Sequence, residues 1–169
     1  MIIIETQRLL LREFTSNDAD FILRILNTPS WQKFIGDKGV KTIHDALLYI
    51  SDKILDSYAK NGFGLYCVAL KNTTIPIGMC GLVKREGLEI PDIGFALLPD
   101  YEKKGYALEA ARSVLDYAKD KLQINDIIAL TSASNLNSIL LLQKLGMSFK
   151  NLIWHPDDNN VMTMLFGFA

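Results

Sequence analysis

The sequence predicts an α/β (α+β) domain of three layers, with helices packed on both faces of a mixed sheet. Three observations lead there. From Gly64 to Leu98 the pattern is extended: LYCVAL, IGMCGLV and the run from Leu88 to Leu98 are separated by turn-like Lys71 to Thr74 and by Arg85-Glu86-Gly87, which reads as three hairpin-connected antiparallel strands. Tyr106 to Leu122 then reads as an amphipathic helix, and a short continuous apolar run, IIALT at 127–131, follows it. A strand, helix, strand crossover of that length returns in parallel, so the sheet is mixed.

The other elements follow in order. Residues 7–14, QRLLLREF, alternate well enough for a first strand. Ser16, Asn17 and Asp18 offer N-caps to a helix whose stripe is Phe21, Ile22, Ile25 and Leu26, ending at Thr28-Pro29. Trp31 to Val40, with Gly36 and Gly39, reads as a loop. Thr42 and Asp45 resemble a capping box, and Leu47, Ile50, Ile54 and Tyr58 continue one helical face until Asn61-Gly62 stops it. On the helix from Tyr106, the residues Ala107, Ala111, Val114, Leu115, Ala118 and Leu122 make the inner stripe, with Glu109, Arg112, Ser113, Asp116, Lys119 and Asp120 outward. Asn135 or Asn137 caps a short helix, SILLLQKL, that Gly146 ends; Met147 to Trp154 and Val161 to Phe168 then close the chain as a hairpin around HPDDNN.

Composition narrows the function. The 169 residues are most simply one domain, 1–169, with 49% hydrophobic and 22% charged residues. A net charge of −1 without a basic block argues against a nucleic-acid partner. Glu5 and Arg8 interrupt the apolar start, so no secretory signal is expected, and no uncharged run is long enough to span a bilayer. Cys67 and Cys80 read as reduced core residues, and cytoplasmic residence is the expectation.

The stretch with the most chemistry is PDIGFALLPDYEKKGYALEAA, 91–111. An apolar strand runs into a loop whose Gly105 opens the amphipathic helix. Helix N-terminal amides have no intrahelical acceptor and carry partial positive charge, which suits an anion. Lys103 and Lys104 oppose that dipole unless an anion sits between them; as solvated lysines they read equally well. No Walker lysine motif and no GxGxxG after a first strand occur, which excludes the common phosphate-site alternatives.

With these residues in view, the chain resembles the GNAT (GCN5-related) acetyltransferases, in the branch that includes the ribosomal-protein N-terminal acetyltransferases. The family's acyl-CoA signature is Gln/Arg-x-x-Gly-x-Gly/Ala; Glu102-Lys103-Lys104-Gly105-Tyr106-Ala107 matches at Gly105 and Ala107 and departs at Glu102. Asp92-Ile93-Gly94-Phe95, Leu97-Leu98-Pro99 and Ala107-Leu108-Glu109-Ala110 are similar to the flanking strand and helix. Asn135-x-x-Ser138 with Lys144-Leu145-Gly146-Met147, and the opening Glu5 to Arg12, match two further segments.

The resemblance implies a mostly antiparallel sheet whose fourth and fifth strands, about 90–98 and 126–131, run parallel and splay, with acetyl-CoA in the gap. Pantetheine amides pair with the backbone of Ala96, Leu97 and Leu98, and the pyrophosphate rests on amides of Lys103, Lys104, Gly105, Tyr106 and Ala107. Asn135 and Ser138 are further cofactor contacts; for each, a role as helix cap alone reads as the alternative, and for Asn135 the two roles are compatible. The implied reaction is direct transfer of acetyl from the thioester to a primary amine, a protein N-terminus or a small molecule. The Leu97 N–H stabilises the oxyanion, Asp92 is the base through water, or else an exposed strand carboxylate, and Ser138 stands for the family's absent acid tyrosine, whose position is Leu142. His44 and His155 match no catalytic position and lack metal-ligand spacing, so no metal is expected. Glu13, Asp37, Asp157 and Asp158 form an acidic mouth or are solvated loop charges. A non-catalytic acyl-CoA sensor of the same fold is the alternative, and a homodimer is compatible with the family.

Overall fold

The three strands at the centre, β3 (Leu65–Leu70), β4 (Pro76–Val83) and β5 (Asp92–Leu97), pair antiparallel in sequence order in the computed structural model, which describes residues 1–169. They belong to one eight-stranded sheet. β1 (Ile2–Glu5) and β2 (Leu9–Arg12) extend it on one side; β6 (Ile128–Thr131), β7 (Ser148–His155) and β8 (Asp158–Gly167) complete it in the order β1-β2-β3-β4-β5-β6-β8-β7. Only β5 and β6 are parallel, as the crossover through α5 (Tyr106–Asp120) requires.

β4 is buried almost throughout because both faces are covered. On one side, Leu9, Leu11, Val68, Ile77 and Leu82 pack with Ala110, Ala111, Val114 and Ala118 of α5 and Leu142 of α6 (Leu136–Lys144). On the other, Cys67 and Met79 meet α1 (Ala19–Leu26) and the helical run formed by α3 (Ile43–Tyr49), a widened π turn (Ile50–Leu55) and α4 (Asp56–Asn61). The expected three layers are therefore present. Both thiols are buried and free, and burial pushes that of Cys67 up to about 12. No helix is long and apolar enough to cross a membrane.

Three local readings change. The chain opens with a strand, β1, antiparallel to β2, and β2 is shorter than the alternation of residues 7–14 predicts. Trp31 to Val40 is not wholly loop, because α2 (Pro29–Phe34) occupies its first part: Thr28 caps it by accepting from the Trp31 N–H, and Pro29 takes the first helical position, where its missing N–H costs nothing. Glu109, outward by periodicity, is held by Thr6 and Arg8.

An ion pair between half-buried Arg12 and buried Asp18 fixes where α1 starts. Arg12 grips Asp18 at 2.9 and 2.7 Å, and Asp18 also accepts from the Thr15 N–H. Burial works to raise the Asp18 pKa, but the bonds from Arg12 and Thr15 outweigh it and the net shift is downward. The pair therefore stabilises the fold at neutral pH and loses that contribution as pH falls through the lowered native value. Asp18→Ala strands the Arg12 guanidinium, and a loss of about 3 kcal/mol in urea unfolding at neutral pH is expected, shrinking in acid. An undiminished loss below the native pKa of Asp18 would contradict this account.

Candidate active site

The sheet comes apart between β5 and β6. Their parallel pairing consists of Asp92 opposite Ile128, with Ile128 N–H donating to the Pro91 carbonyl at 3.1 Å. From Ile93 onward that edge of β5 has no strand beside it, whereas the β4 edge is paired through Leu97 opposite Gly78. Alternation decides which amides face the opening. Pro91 points its carbonyl at β6, and Leu98 donates its N–H to Ile77 at 2.8 Å on the β4 side. The backbone N–H and C=O of Phe95 and Leu97 thus face the gap, whereas those of Ala96 and the N–H of Leu98 face β4, the Leu98 carbonyl accepting from the Tyr101 N–H at 3.0 Å. Among the predicted strand contacts, Leu97 offers backbone to the gap, Ala96 lines the cleft, and Leu98 is buried against the second core. Phe95 is a gap-facing residue that the sequence reading did not select.

The gap leads to the predicted loop. After Pro99–Tyr101 the backbone takes positive φ at Lys103 (59°) and again at Gly105 (82°), immediately before α5 begins. Lys103, Gly105, Tyr106 and Ala107 line the cleft; Lys104 is exposed, its ammonium 5.7 Å from the centre of the Tyr101 ring. Arg8 buttresses this turn from behind. It donates to the Lys104 carbonyl at 3.0 Å, pairs with Glu109 at 2.6 Å and lies 4.5 Å over the Tyr106 ring. Burial works to raise the Glu109 pKa, but the bonds from Thr6 and Arg8 together outweigh it and the net shift is downward. The anionic side chain nearest the first turn is therefore already paired, leaving the terminal amides as the local electropositive feature.

Across the gap, Asn135 caps α6 by accepting from the Ser138 N–H at 3.2 Å, and both residues line the cleft. Leu142 is fully buried in the core, turned away from the opening. The cleft has a volume of about 2150 Å³ and continues past the loop at 35–38, the π turn and the β7–β8 turn.

Asp92 is 2% exposed and is not an exposed strand carboxylate. Arg85 holds both of its oxygens, Nε to Oδ1 at 2.7 Å and Nη2 to Oδ2 at 3.2 Å, and reaches Asp157 with Nη1. Burial raises the Asp92 pKa against the opposing pull of Arg85. His155 is half-buried alongside, and its Nδ1 accepts from the Asp157 N–H at 3.1 Å, which assigns the neutral ring's proton to Nε2. Burial and Arg85 lower its pKa. His44 is exposed. Of the four acids of the predicted mouth, Asp37, Asp157 and Asp158 line the cleft; Asp37 is paired with Lys41 and Asp157 with Arg85.

A profile of the acetyltransferase (GNAT) domain matches residues 8–148. The chain is 31% identical over 144 residues to the uncharacterized N-acetyltransferase YnaD of Bacillus subtilis (strain 168), covering 85% of this chain and 81% of that protein. A GNAT-family acetyltransferase from Bacillus anthracis superimposes with a TM-score of 0.81 at 25% identity, over 100% of this chain and 98% of the other. RimL, a ribosomal L7/L12 α-N-protein acetyltransferase solved with coenzyme A, shares the fold with a TM-score of 0.81 at 12% identity, over 99% and 97% of the two chains. The chain belongs to the GNAT acetyltransferases and is an acetyltransferase.

Proposed function

We propose that this acetyltransferase moves an acetyl group from acetyl-CoA to a primary amine by direct attack, with both substrates bound together in the cleft. The observation that carries the reading is the unpartnered edge of β5, which runs directly into the positive-φ turn before α5. A pantetheine arm carries amides that can pair with such an edge, and a pyrophosphate suits the exposed amides of residues 103–107. In this reading Phe95 and Leu97 offer their backbone to the arm, Lys103 to Ala107 hold the phosphates, and Asn135 and Ser138 contact the arm from α6.

The chemistry then uses few groups. The amine nitrogen forms a bond to the thioester carbonyl carbon, and the developing oxyanion accepts from the Leu97 N–H. Collapse breaks the C–S bond, and CoA leaves as thiolate with the electron pair. The proton lost by nitrogen passes through water to Asp92, and Ser138 serves as donor to the thiolate. RimL is named for a protein amino terminus, and a primary amine is the acceptor class taken over from that comparison.

The test combines binding and turnover. Acetyl-CoA at about a hundred times its dissociation constant is expected to stabilise the protein by about 2.7 kcal/mol in thermal unfolding. A panel of protein N-terminal peptides, polyamines and amino sugars is then followed by thiol release. Binding without release for any amine would replace the transferase by an acyl-CoA sensor, and absence of binding would remove both readings.

A further inference from the structure

We propose that Arg85 is a positioning residue of the acetyl transfer, acting at two places: it fixes the Asp92 carboxylate at the vertex of the splay and it latches the β7–β8 turn, which lines the cleft. The first part rests on the reading of Asp92 as the base; the second does not.

The geometry joins three segments distant in sequence. Arg85 lies in the connection between β4 and β5, Asp92 is the first residue of β5, and Asp157 is in the turn of the closing hairpin. Asp92 sits opposite Ile128, the one residue pair that links β5 to β6, so its carboxylate marks the point from which the two strands diverge. The hairpin needs a tether there. β8 pairs with β6 through residues 164–167, and beyond Met164 the two hairpin strands pair only with each other in the sheet. Asp157 on Arg85 ties that distal half back to the body of the protein.

The choice of side chain fits both tasks. The guanidinium offers a planar fork to the two Asp92 oxygens while a third nitrogen remains for Asp157, an arrangement that a lysine ammonium reproduces only in part. Side-chain exposure is 19% for Arg85 and 3% for Asp92, so the pair is largely shielded, whereas Asp157 at 46% meets solvent at the rim. The charged and titratable groups facing this cluster are Arg85, Asp157 and His155, with Tyr49 and Lys38 acting through Arg85 and His155. Removing Arg85 leaves a buried carboxylate beside another acid, which favours the protonated form of Asp92.

The experiment uses Arg85→Gln, Arg85→Lys, Asp157→Asn and Asp92→Asn, read by the pH profile of kcat/KM for an amine and by hydrogen exchange of amides 156–160. In Arg85→Gln the acidic limb is expected to move up by about one pH unit or more, because the carboxylate must be ionised to take a proton and now ionises later. Exchange at the turn accelerates about tenfold, and Arg85→Lys restores part of both effects. Asp157→Asn accelerates exchange without an upward move of the limb. A limb that stays put in a folded Arg85→Gln, or one that Arg85→Lys leaves no nearer the wild-type position than Arg85→Gln does, overturns the positioning role, and unchanged exchange in both Arg85→Gln and Asp157→Asn overturns the latch. If Asp92→Asn keeps the wild-type limb, the base lies elsewhere, and the latch is still decided by exchange alone.

Discussion

Leu97→Pro is expected to lower kcat by about 10²- to 10³-fold while the protein remains folded. In the proposed mechanism, that is the size of losing one oxyanion donor. Folding survives because the Leu97 N–H points into the gap and pairs with no strand, so the missing donor breaks no ladder bond; the β4 side is served by Leu98 and, by alternation, Ala96. Ala96→Pro supplies the contrast one residue away. It removes a donor directed at β4 and is expected to destabilise the fold by about 3 kcal/mol. Single-turnover kinetics and denaturant unfolding on the two variants check the pair of outcomes. Equal behaviour in both assays would mean that the parity assigned to β5 is wrong.

Gly105→Val is expected to raise the acetyl-CoA dissociation constant about tenfold to a hundredfold. Gly105 has φ of 82°, a region that a β-branched residue enters only under strain, and a Cβ there comes within 3.2 Å of Arg8 Nη2. Relief requires the turn to re-form or Arg8 to leave the Lys104 carbonyl, and strain of about 1–3 kcal/mol converts to that range of affinity. At saturating acetyl-CoA, kcat is expected to stay near the wild-type value, because in the proposed reading the turn holds phosphates away from the reacting carbonyl. Calorimetric titration of acetyl-CoA measures the effect, and an unchanged constant would detach the turn from cofactor binding.

Much of this arrangement is legible in the sequence because strong local patterns carry it. The apolar spacing of α5, the switch to extended pattern at Gly64 and the glycine turn are each set within about a dozen residues, and tertiary context did not override them. The failures have identifiable causes. β1 is four residues, Ile2–Glu5, with three apolar positions in a row, so no alternation marks it and its stability comes from β2. Thr28-Pro29 ends one helix and begins another, since a stop for α1 is also a cap and first position for α2. Glu109 faces outward by period, yet the segment Thr6 to Arg8 covers the first turn of α5, a contact between residues about a hundred apart in sequence.

The site shows the same division. Which residues form the strand was readable, but which of their amides face the gap was not, since parity depends on the register with β4. Arg85 looked like a turn residue because its partners are seven and seventy-two positions away. A short-range hint existed: an arginine followed seven residues later by an aspartate across a tight connection can meet at the mouth of a hairpin.

The single Asp92–Ile128 pair also bears on how the molecule comes apart. Five strands, β1 to β5, form one ladder and β6, β8 and β7 another, and backbone hydrogen bonds cross between them at that one place. The remaining mechanical continuity runs through side chains beneath α5 and α6, which can loosen without breaking either ladder. The sheet is thus two hydrogen-bonded ladders over one shared core. A molecule pairing its own amides with the open edge of β5 would add backbone-type hydrogen bonds where the two ladders part.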